Sequence, residues 1–265
     1  MTTHQQWNAR DYAQHSSAQL QWAEELIPKL GLQGHESLLD LGCGDGKITA
    51  LIAARLDRGS ALGIDLSADM IQLANTQFPP ATYPNLSFAQ MDVSRIELDQ
   101  RFDIAFSNAA LHWVADHRAV LRGVRNCLRP GGRLLFQMGG RGNAAGMLAA
   151  LEKVLDHPQW REHLRGFANP YSFYGPEDYR VWLLQTGFRP LRLELIPKDM
   201  YHPDDAGLLG WLRTTWFPYT DRLPIDQREA FLAEVVEAYL AAHPVDASGR
   251  THVDMVRLEV EAHAC

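Results

Sequence analysis

The stretch Ser37–Ile52, SLLDLGCGDGKITALI, decides how the rest of the chain is read. Leu38, Leu39 and Leu41 form an apolar run that carries one acid, Asp40. Glycines follow at alternate positions, Gly42, Gly44 and Gly46, and then Ile48, Leu51 and Ile52 fall at helical spacing. The pattern predicts a buried strand, a tight turn and the opening of a helix. Glycine has no Cβ, so backbone N–H groups in such a turn can come close to a ligand. The helix start adds unpaired donors and partial positive charge. A dinucleotide fold wants G-x-G-x-x-G, and a phosphate loop wants G-x-x-x-x-G-K-[ST]. Here the spacing is G-x-G-x-G, Leu41 stands where the phosphate loop needs its first glycine, and Ile48 stands where it needs a hydroxyl. A phosphate cradle is therefore disfavoured. A plain structural turn and a cofactor turn both remain open at this point.

Later residues add to the loop. Ala61–Ile64 predicts a second strand that ends at Asp65, about 20 residues after the turn, where an acid is placed to accept from ribose hydroxyls. Ser67 is set to cap a helix over Ala68–Gln77. Met70, in its first turn, could lie against a flat ring or pack in the core. Leu86–Gln90 predicts a third strand, followed by Met91, Asp92 and Val93. Asp92 could accept from an exocyclic amine on the ligand edge of an open sheet, or cap the next turn. FDIAFS, Phe102–Ser107, predicts a fourth strand with Asn108 at its end, then Leu111, His112 and Trp113. His117, in the polar run Asp116–Arg118, reads as solvent-facing. A helix over Val120–Leu128, a turn at Pro130-Gly131-Gly132 and a fifth strand over Arg133–Met138 complete the alternation. Strands alternating with helices predict an α/β, doubly wound, mostly parallel sheet.

At 265 residues, one α/β domain with insertions or a small cap is expected. The apolar fraction of 46% supports a proper core, and the net charge of −7 offers no basic footprint for nucleic acid or an anionic membrane. No apolar run reaches the roughly 18 residues that a membrane span needs. The start, MTTHQQWNAR, lacks the apolar core of a signal peptide. Cys43, Cys127 and Cys265 are far apart, with no metal spacing and no disulfide framework, so a reducing cytoplasm is the expected location and no metal is expected. Cys43 could be a nucleophile or a small residue packed under the loop.

DLGCGDG together with Asp65, Asp92, Asn108 and LRPGGRLLF resembles the class I S-adenosylmethionine-dependent methyltransferases over roughly residues 37–137. The resemblance implies a seven-stranded Rossmann-like sheet, S-adenosylmethionine as cofactor and S-adenosylhomocysteine as product. It implies that Asp40, Gly42, Cys43, Gly44 and Gly46 hold the methionine portion. Asp65 and Leu66 would meet the ribose side, and Met70, Asp92 and Val93 the adenine. The backbone of Asn108 would face the methionyl amine. The chain would then be an S-adenosylmethionine-dependent methyltransferase acting on a small molecule. Methyl transfer from a sulfonium is an in-line displacement that requires orientation rather than a nucleophile or a metal.

Beyond Met138 the pattern changes. A glycine-rich piece, a helix over Met147–Leu155, an irregular aromatic stretch over Trp160–Phe173, a helix over Pro176–Thr186 and a strand over Arg189–Pro197 are expected. Two helices joined by a Pro-containing turn and a final alternating strand, Val253–Ala262, follow. The expected organisation is an N-terminal helical lid over 1–34 and a cofactor core over 35–140. Cap elements with the sixth strand occupy 141–252, and the last strand lies in 253–265. WLRTTW, Trp211–Trp216, and the PIDQREAFLAE that comes after it resemble an insertion of the trans-aconitate methyltransferases. SNAALHWV, Ser107–Val114, resembles the same group and the juvenile hormone acid methyltransferases. Both groups methylate carboxylates, so the resemblance implies a carboxylate acceptor. A carboxylate is already ionised at neutral pH and needs aim and desolvation. Tyr12, Gln19, His112, Trp113, Arg213 and Trp216 are the acceptor-site candidates. The alternatives are methylation of a hydroxyl or a carbon with His112 as general base, or a protein that binds the cofactor without transferring its methyl.

Overall fold

The computed structural model describes residues 17–265. Its centre is a seven-stranded sheet in the order β3-β2-β1-β4-β5-β7-β6. The strands are β1 (Ser37–Leu41), β2 (Ser60–Asp65), β3 (Leu86–Gln90), β4 (Phe102–Asn108), β5 (Leu128–Gly139), β6 (Phe188–His202) and β7 (Thr251–Ala264). The pairs β1–β2, β1–β4, β2–β3 and β4–β5 are parallel, and β5 pairs antiparallel with β7. The continuous apolar runs of β1 and β4 follow from this topology, because a central parallel strand is covered on both faces. One face holds Leu39, Leu41, Val120, Leu121, Val124 and Phe136, and the other holds Leu30, Leu38, Ile52, Ile104 and Phe106. The strand order reverses between β1 and β4. In open α/β sheets the crevice at such a switch point, beyond the carboxyl ends of the strands, is where ligands bind.

The helices of this part are α1 (Ser17–Leu26), α2 (Lys47–Ala53), α3 (Ala68–Gln77) and α4 (His117–Cys127). Ser67 caps α3 through its hydroxyl, which accepts from Met70 N–H at 3.3 Å, as its position in the sequence predicts. The expected N-terminal helical lid is described from Ser17, and after α1 the chain tightens into a 3-10 turn, Ile27–Leu30, at Pro28. Pro130-Gly131-Gly132 is drawn into β5. Residues 129–132 face the single residue 103, so the turn residues appear as an irregularity inside a longer strand.

The chain forms two compact units. Of the described residues, the first contains 17–141, 171–196 and 257–265, and the second 142–170 and 197–256. Within the first, α7 (Pro176–Gln185) packs Tyr179 and Leu183 into the sheet core. The second is mainly helical, with α5 (Ala145–Leu155), α6 (Pro158–Arg161), α8 (Asp205–Thr215), α9 (Phe217–Thr220) and α10 (Arg228–Leu240). Trp160 is fully buried there against Phe231, and its indole N–H donates to Glu234 at 2.7 Å. Among the described residues no helix is long and apolar enough to cross a membrane.

Candidate active site

A cavity of about 140 Å³ lies at the carboxyl ends of β1, β2 and β3 and beyond β4. The glycine turn forms one wall. Gly42, Gly44 and Gly46 all have positive φ, at +73°, +54° and +80°. Gly42 and Gly44 line the cavity. Gly46 does not; a Cβ there would sit 2.6 Å from the Phe88 ring and 3.0 Å from Ala74, so this glycine lets α2 and α3 close against β3. Gly42 N–H and Cys43 N–H both donate to the carbonyl of Ile64, which ties the turn to β2.

Cys43 is buried, with its sulfur against Gly63, and burial pushes its thiol pKa up, with the nearby Asp40 and Asp65 adding to the rise. It is the packed residue of its two readings, not an activated nucleophile. Asp40 is also buried, beneath the turn, and accepts from the Thr49 hydroxyl at 2.6 Å. Burial, opposed by Thr49 and reinforced by Asp65, pushes its pKa up to about 7. Thr49 is the partner that the sequence did not suggest.

Asp65 lines the cavity from the end of β2. Its Oδ2 accepts from Gly44 N–H at 3.0 Å and its Oδ1 from Ser67 N–H at 2.9 Å. Each oxygen has a second lone pair left for hydroxyl donors. Burial raises its pKa, although the amides of Ser67, Gly44 and Leu66 act in the opposite sense. Leu66, 62% exposed, and Met70, 3% exposed, supply apolar surface on either side. Asp92 and Val93 close that end. Asp92 does cap the next turn, because its Oδ1 accepts from Ser94 N–H and Oγ–H at 2.8 and 2.7 Å. It lines the cavity as well, so the two readings coexist.

The opposite wall follows β4. Asn108 is buried beside Gln137 in the strand register. Ala109, Ala110, Trp113 and Val114 line the cavity. Ala109 has φ +56°, a left-handed conformation that L side chains rarely adopt. Strained backbone of this kind concentrates at functional sites, and alanine carries no turn signal that the sequence could have displayed. The 3-10 turn Leu111–Trp113 carries His112, whose Nδ1 accepts from Gly139 N–H in a long bond of 3.4 Å. Although half-buried by area, the ring is crowded. Burial first, then the charges of Arg257 and His117, hold its pKa well below the usual value. His112 is thus neutral near pH 7, with its proton on Nε2.

His117 contradicts its solvent-facing reading. It is 2% exposed, because Asp116 caps α4 by accepting from Ala119 N–H at 3.1 Å and the first residue of the helix then turns inward. Its Nε2 bonds the Leu111 carbonyl at 2.9 Å and its Nδ1 meets the Tyr179 hydroxyl at 2.6 Å. A carbonyl only accepts, so Nε2 carries the proton and Tyr179 donates to Nδ1. His117 therefore fastens the turn that carries His112.

Tyr12 lies outside the described residues, and of Gln19 only its place on α1 is described. Trp113 is half-buried and tilts against Tyr171, with ring centroids 4.9 Å apart. In the second unit, the Arg213 fork meets both carboxylate oxygens of Glu229 at 2.7 Å. Trp216 is 3% exposed and packs against Trp211 and Tyr219.

The residues fit S-adenosylmethionine. A Cβ at Gly42 would come 2.2 Å from the Ala110 methyl, so the turn and the far wall approach as closely as glycine permits. A carboxylate with free lone pairs, an exposed leucine and a buried methionine match a ribose and a flat base. Asp40 and Asp65, both costly to keep ionised in the absence of positive charge, match a cationic ligand.

A family model described as a methyltransferase domain matches residues 39–136, the part that carries this cavity. The trans-aconitate 2-methyltransferase of Rhodopseudomonas palustris (strain BisB5) is 27% identical over 257 residues, covering 95% of this chain and 96% of its own. An uncharacterized methyltransferase of Schizosaccharomyces pombe is 29% identical over 261 residues, covering 97% of each chain. Among solved structures, a phosphoethanolamine N-methyltransferase of Haemonchus contortus, in complex with phosphomonomethylethanolamine and S-adenosylhomocysteine, shares the fold with a TM-score of 0.60 at 15% identity. That alignment covers 97% of this chain and 56% of that one. A methyltransferase domain over the switch-point crevice, similarity to methyltransferases along nearly the whole length and the common sheet order converge: the chain is a class I S-adenosylmethionine-dependent methyltransferase.

Proposed function

We propose that the acceptor is a small carboxylic acid and the product its methyl ester. The observation that carries this is the contact of Gly139 N–H with His112 Nδ1 at 3.4 Å. With Nδ1 so engaged, and with burial holding the ring's pKa down, His112 is read as an N–H donor rather than a base. Trp113, whose ring lies beside it, lines the cavity, and an indole carries a donor and no acceptor. Donors without a base suit an acceptor that arrives already deprotonated. A phenol, an alcohol or a carbon acid would need the proton removed, and His112 could serve as base only by giving up the Gly139 contact. The similarity to trans-aconitate 2-methyltransferases runs the same way.

On this reading Asp40, Gly42, Gly44, Asp65, Leu66, Met70, Asp92, Val93 and Asn108 hold the cofactor, and Cys43 and Gly46 support the turn from behind. Bound S-adenosylmethionine supplies an activated methyl group and a good leaving group. The protein excludes water, keeps the Asp65 and Asp92 oxygens in place and directs N–H groups at the acceptor. The additions outside the common sheet are assigned the choice among acids.

The test is incubation with methyl-labelled cofactor and a panel of small mono-, di- and tricarboxylic acids, phenols and amines. Label is expected in acid acceptors, released by mild alkali as methanol. Label confined to phenol or amine acceptors, or alkali-stable in every product, would overturn the reading.

A further inference from the structure

We propose that the acceptor is a monocarboxylic acid with a flat aromatic body, and that Trp113 is the residue that selects it. The inference rests on the carboxylic-acid reading above and names the class of acid. Two charged side chains line the cavity, Asp65 and Asp92, and both are acids; no lysine or arginine of the described residues is among its lining. S-adenosylmethionine brings one net positive charge, from its sulfonium, ammonium and carboxylate groups together. One carboxylate on the acceptor balances that charge. A second or third would face a wall whose charged groups are all negative, and like charges set together in a poorly solvated site are strongly unfavourable. The lining therefore favours an acceptor with a single carboxylate and an uncharged remainder.

The nature of that remainder follows from the rings. Trp113 is the one aromatic side chain in the lining, on the β4 side with Ala109, Ala110 and Val114. Residues 171–174, from the aromatic stretch between β5 and β6, run beside its turn, because Ser172 N–H donates to the His112 carbonyl at 2.8 Å. Tyr171 and Phe173 project together, with parallel rings whose centroids are 5.4 Å apart. Tyr171 meets Trp113 at 4.9 Å, Phe173 meets His112 at 6.1 Å, and His112 meets Trp113 at 5.5 Å. The four rings close on one another, and Trp113 is the member at the cavity. Tyr174 turns to the other side, where it packs edge-on against His117 and donates to the Ala115 carbonyl at 2.9 Å. The segment thus fixes the turn with one aromatic and braces Trp113 with two. Aromatics kept only for packing are covered, as Trp160 is, whereas all four of these rings are half-buried. A braced, half-exposed indole offers a rigid π face, on which a flat ring gains more than a saturated body of equal area.

The experiment compares three acids as acceptors. They are trans-cinnamic acid, its ring-saturated counterpart trans-3-cyclohexylacrylic acid, and the flat triacid trans-aconitic acid. In the wild type, kcat/KM for trans-cinnamic acid should exceed that for the cyclohexyl acid about fivefold to tenfold. It should exceed that for trans-aconitic acid about 10²-fold or more. Trp113→Leu should bring the cinnamic-to-cyclohexyl ratio within twofold of unity, and Trp113→Phe should keep most of it. Both acids meet the same variant, so any effect on the fold or on the cofactor cancels from the ratio. Calorimetric binding of trans-cinnamate to protein saturated with S-adenosylhomocysteine should weaken in Trp113→Leu by a similar factor, a readout without turnover. A wild-type preference over trans-aconitic acid below tenfold overturns the single-carboxylate claim while leaving ester formation intact. A wild-type cinnamic-to-cyclohexyl ratio below threefold, or one that Trp113→Leu leaves unchanged, overturns the role of Trp113. If Trp113→Leu fails to fold, Tyr171→Ala decides, because it removes the brace alone: a ratio reduced twofold or more supports the proposal, and a smaller change overturns it. If the wild type esterifies no acid of the wider labelled panel, the carboxylate reading itself fails, before any ratio is compared.

Discussion

Gly42→Ala tests the geometry of the cavity at its narrowest point. Two costs are separable. The first is conformational: φ is +73° at Gly42, and an L residue held in that region costs about 1–2 kcal/mol. The second is contact: the new Cβ would stand 2.2 Å from the Ala110 methyl, more than an ångström inside ordinary carbon contact. Overpacking of this kind costs about 1–3 kcal/mol, because neither neighbour is the far end of a flexible side chain. Together the two predict a loss of about 2–5 kcal/mol. For a unit of this size that is a fall in Tm of roughly 4–20 °C. Ala110→Gly removes the contact without touching φ, so a double-mutant cycle divides the total. The second substitution should restore about 1–3 kcal/mol in the Gly42→Ala background and only the conformational cost should remain. Because Gly42 and Ala110 stand on opposite walls of the same cavity, cofactor affinity should follow the contact cost. A loss of about tenfold or more in the single mutant is expected, largely recovered in the double mutant. The measurements are thermal unfolding and titration calorimetry with S-adenosylmethionine. A coupling energy under about 0.5 kcal/mol, the usual limit for independent sites, would refute the claim that the two walls touch.

Asp40 predicts a pH dependence. Its folded pKa, about 7, lies above the 3.8 of an unstrained carboxyl, so its contribution to stability is present in full below pH 4 and is lost as pH rises through 7. The shift amounts to on the order of 4 kcal/mol at most, and Asp65 moves in the same direction. Melting temperatures of the cofactor-free protein between pH 4.5 and 7.5 should fall on this account, and Asp40→Asn should flatten the slope. An identical slope in the mutant would refute the assignment. His112→Ala should reduce kcat/KM for an acid acceptor by no more than about tenfold, whereas a general base would cost roughly 10²–10⁴-fold. In the same assays, kcat/KM of the wild type should show no ionisation near pH 6.5, since the ring stays neutral there. Ala109→Gly should stabilise the protein by about 0.5–1 kcal/mol, because relief of left-handed strain exceeds the added entropy of the unfolded chain. A lowered Tm would count against the strain.

The sheet was readable because each central parallel strand announces itself as an apolar run ended by a turn residue. Leu38–Leu41, Ala61–Ile64 and Phe102–Ser107 all lie within observed strands. The acids at 40, 65 and 92 were readable for a related reason. A charged residue at the end of a buried strand is costly unless something there needs it. His117 was misread because polarity in the sequence does not say which way a helix faces until its cap is fixed, and Asp116 fixes it. The burial of Arg257 escaped the sequence for the opposite reason. In VDMVRLEVEA it occupies the polar phase of an alternating strand, which normally marks a solvated face. That face is covered by the N-terminal segment, through Trp22 and Lys29, and neither the covering nor the cation stacked beneath it leaves a trace in the period. Tertiary cover is a long-range property, whereas alternation is a local one.

The same distinction bears on how the proposed reaction would be driven. Along the carboxyl edge of the sheet, Asp40, Asp65 and Asp92 stand at or near the ends of β1, β2 and β3. His112 stands just beyond β4. On the proposed reading the carboxylates favour a cationic methyl donor and the N–H groups favour an anionic acceptor, on opposite sides of the point where the strand order reverses. Methyl transfer between such partners cancels both charges. A poorly solvated cavity does not resist that step, because the surroundings have less charge to stabilise afterwards than before. The same cavity would oppose methylation of a neutral alcohol, which must generate charge and dispose of a proton. The carboxylates able to take that proton are on the donor side, and the histidine on the acceptor side already carries its own. On that reading the acceptor class would follow from the placement of charge about the switch point, and the choice among acids from residues that the common sheet does not contain.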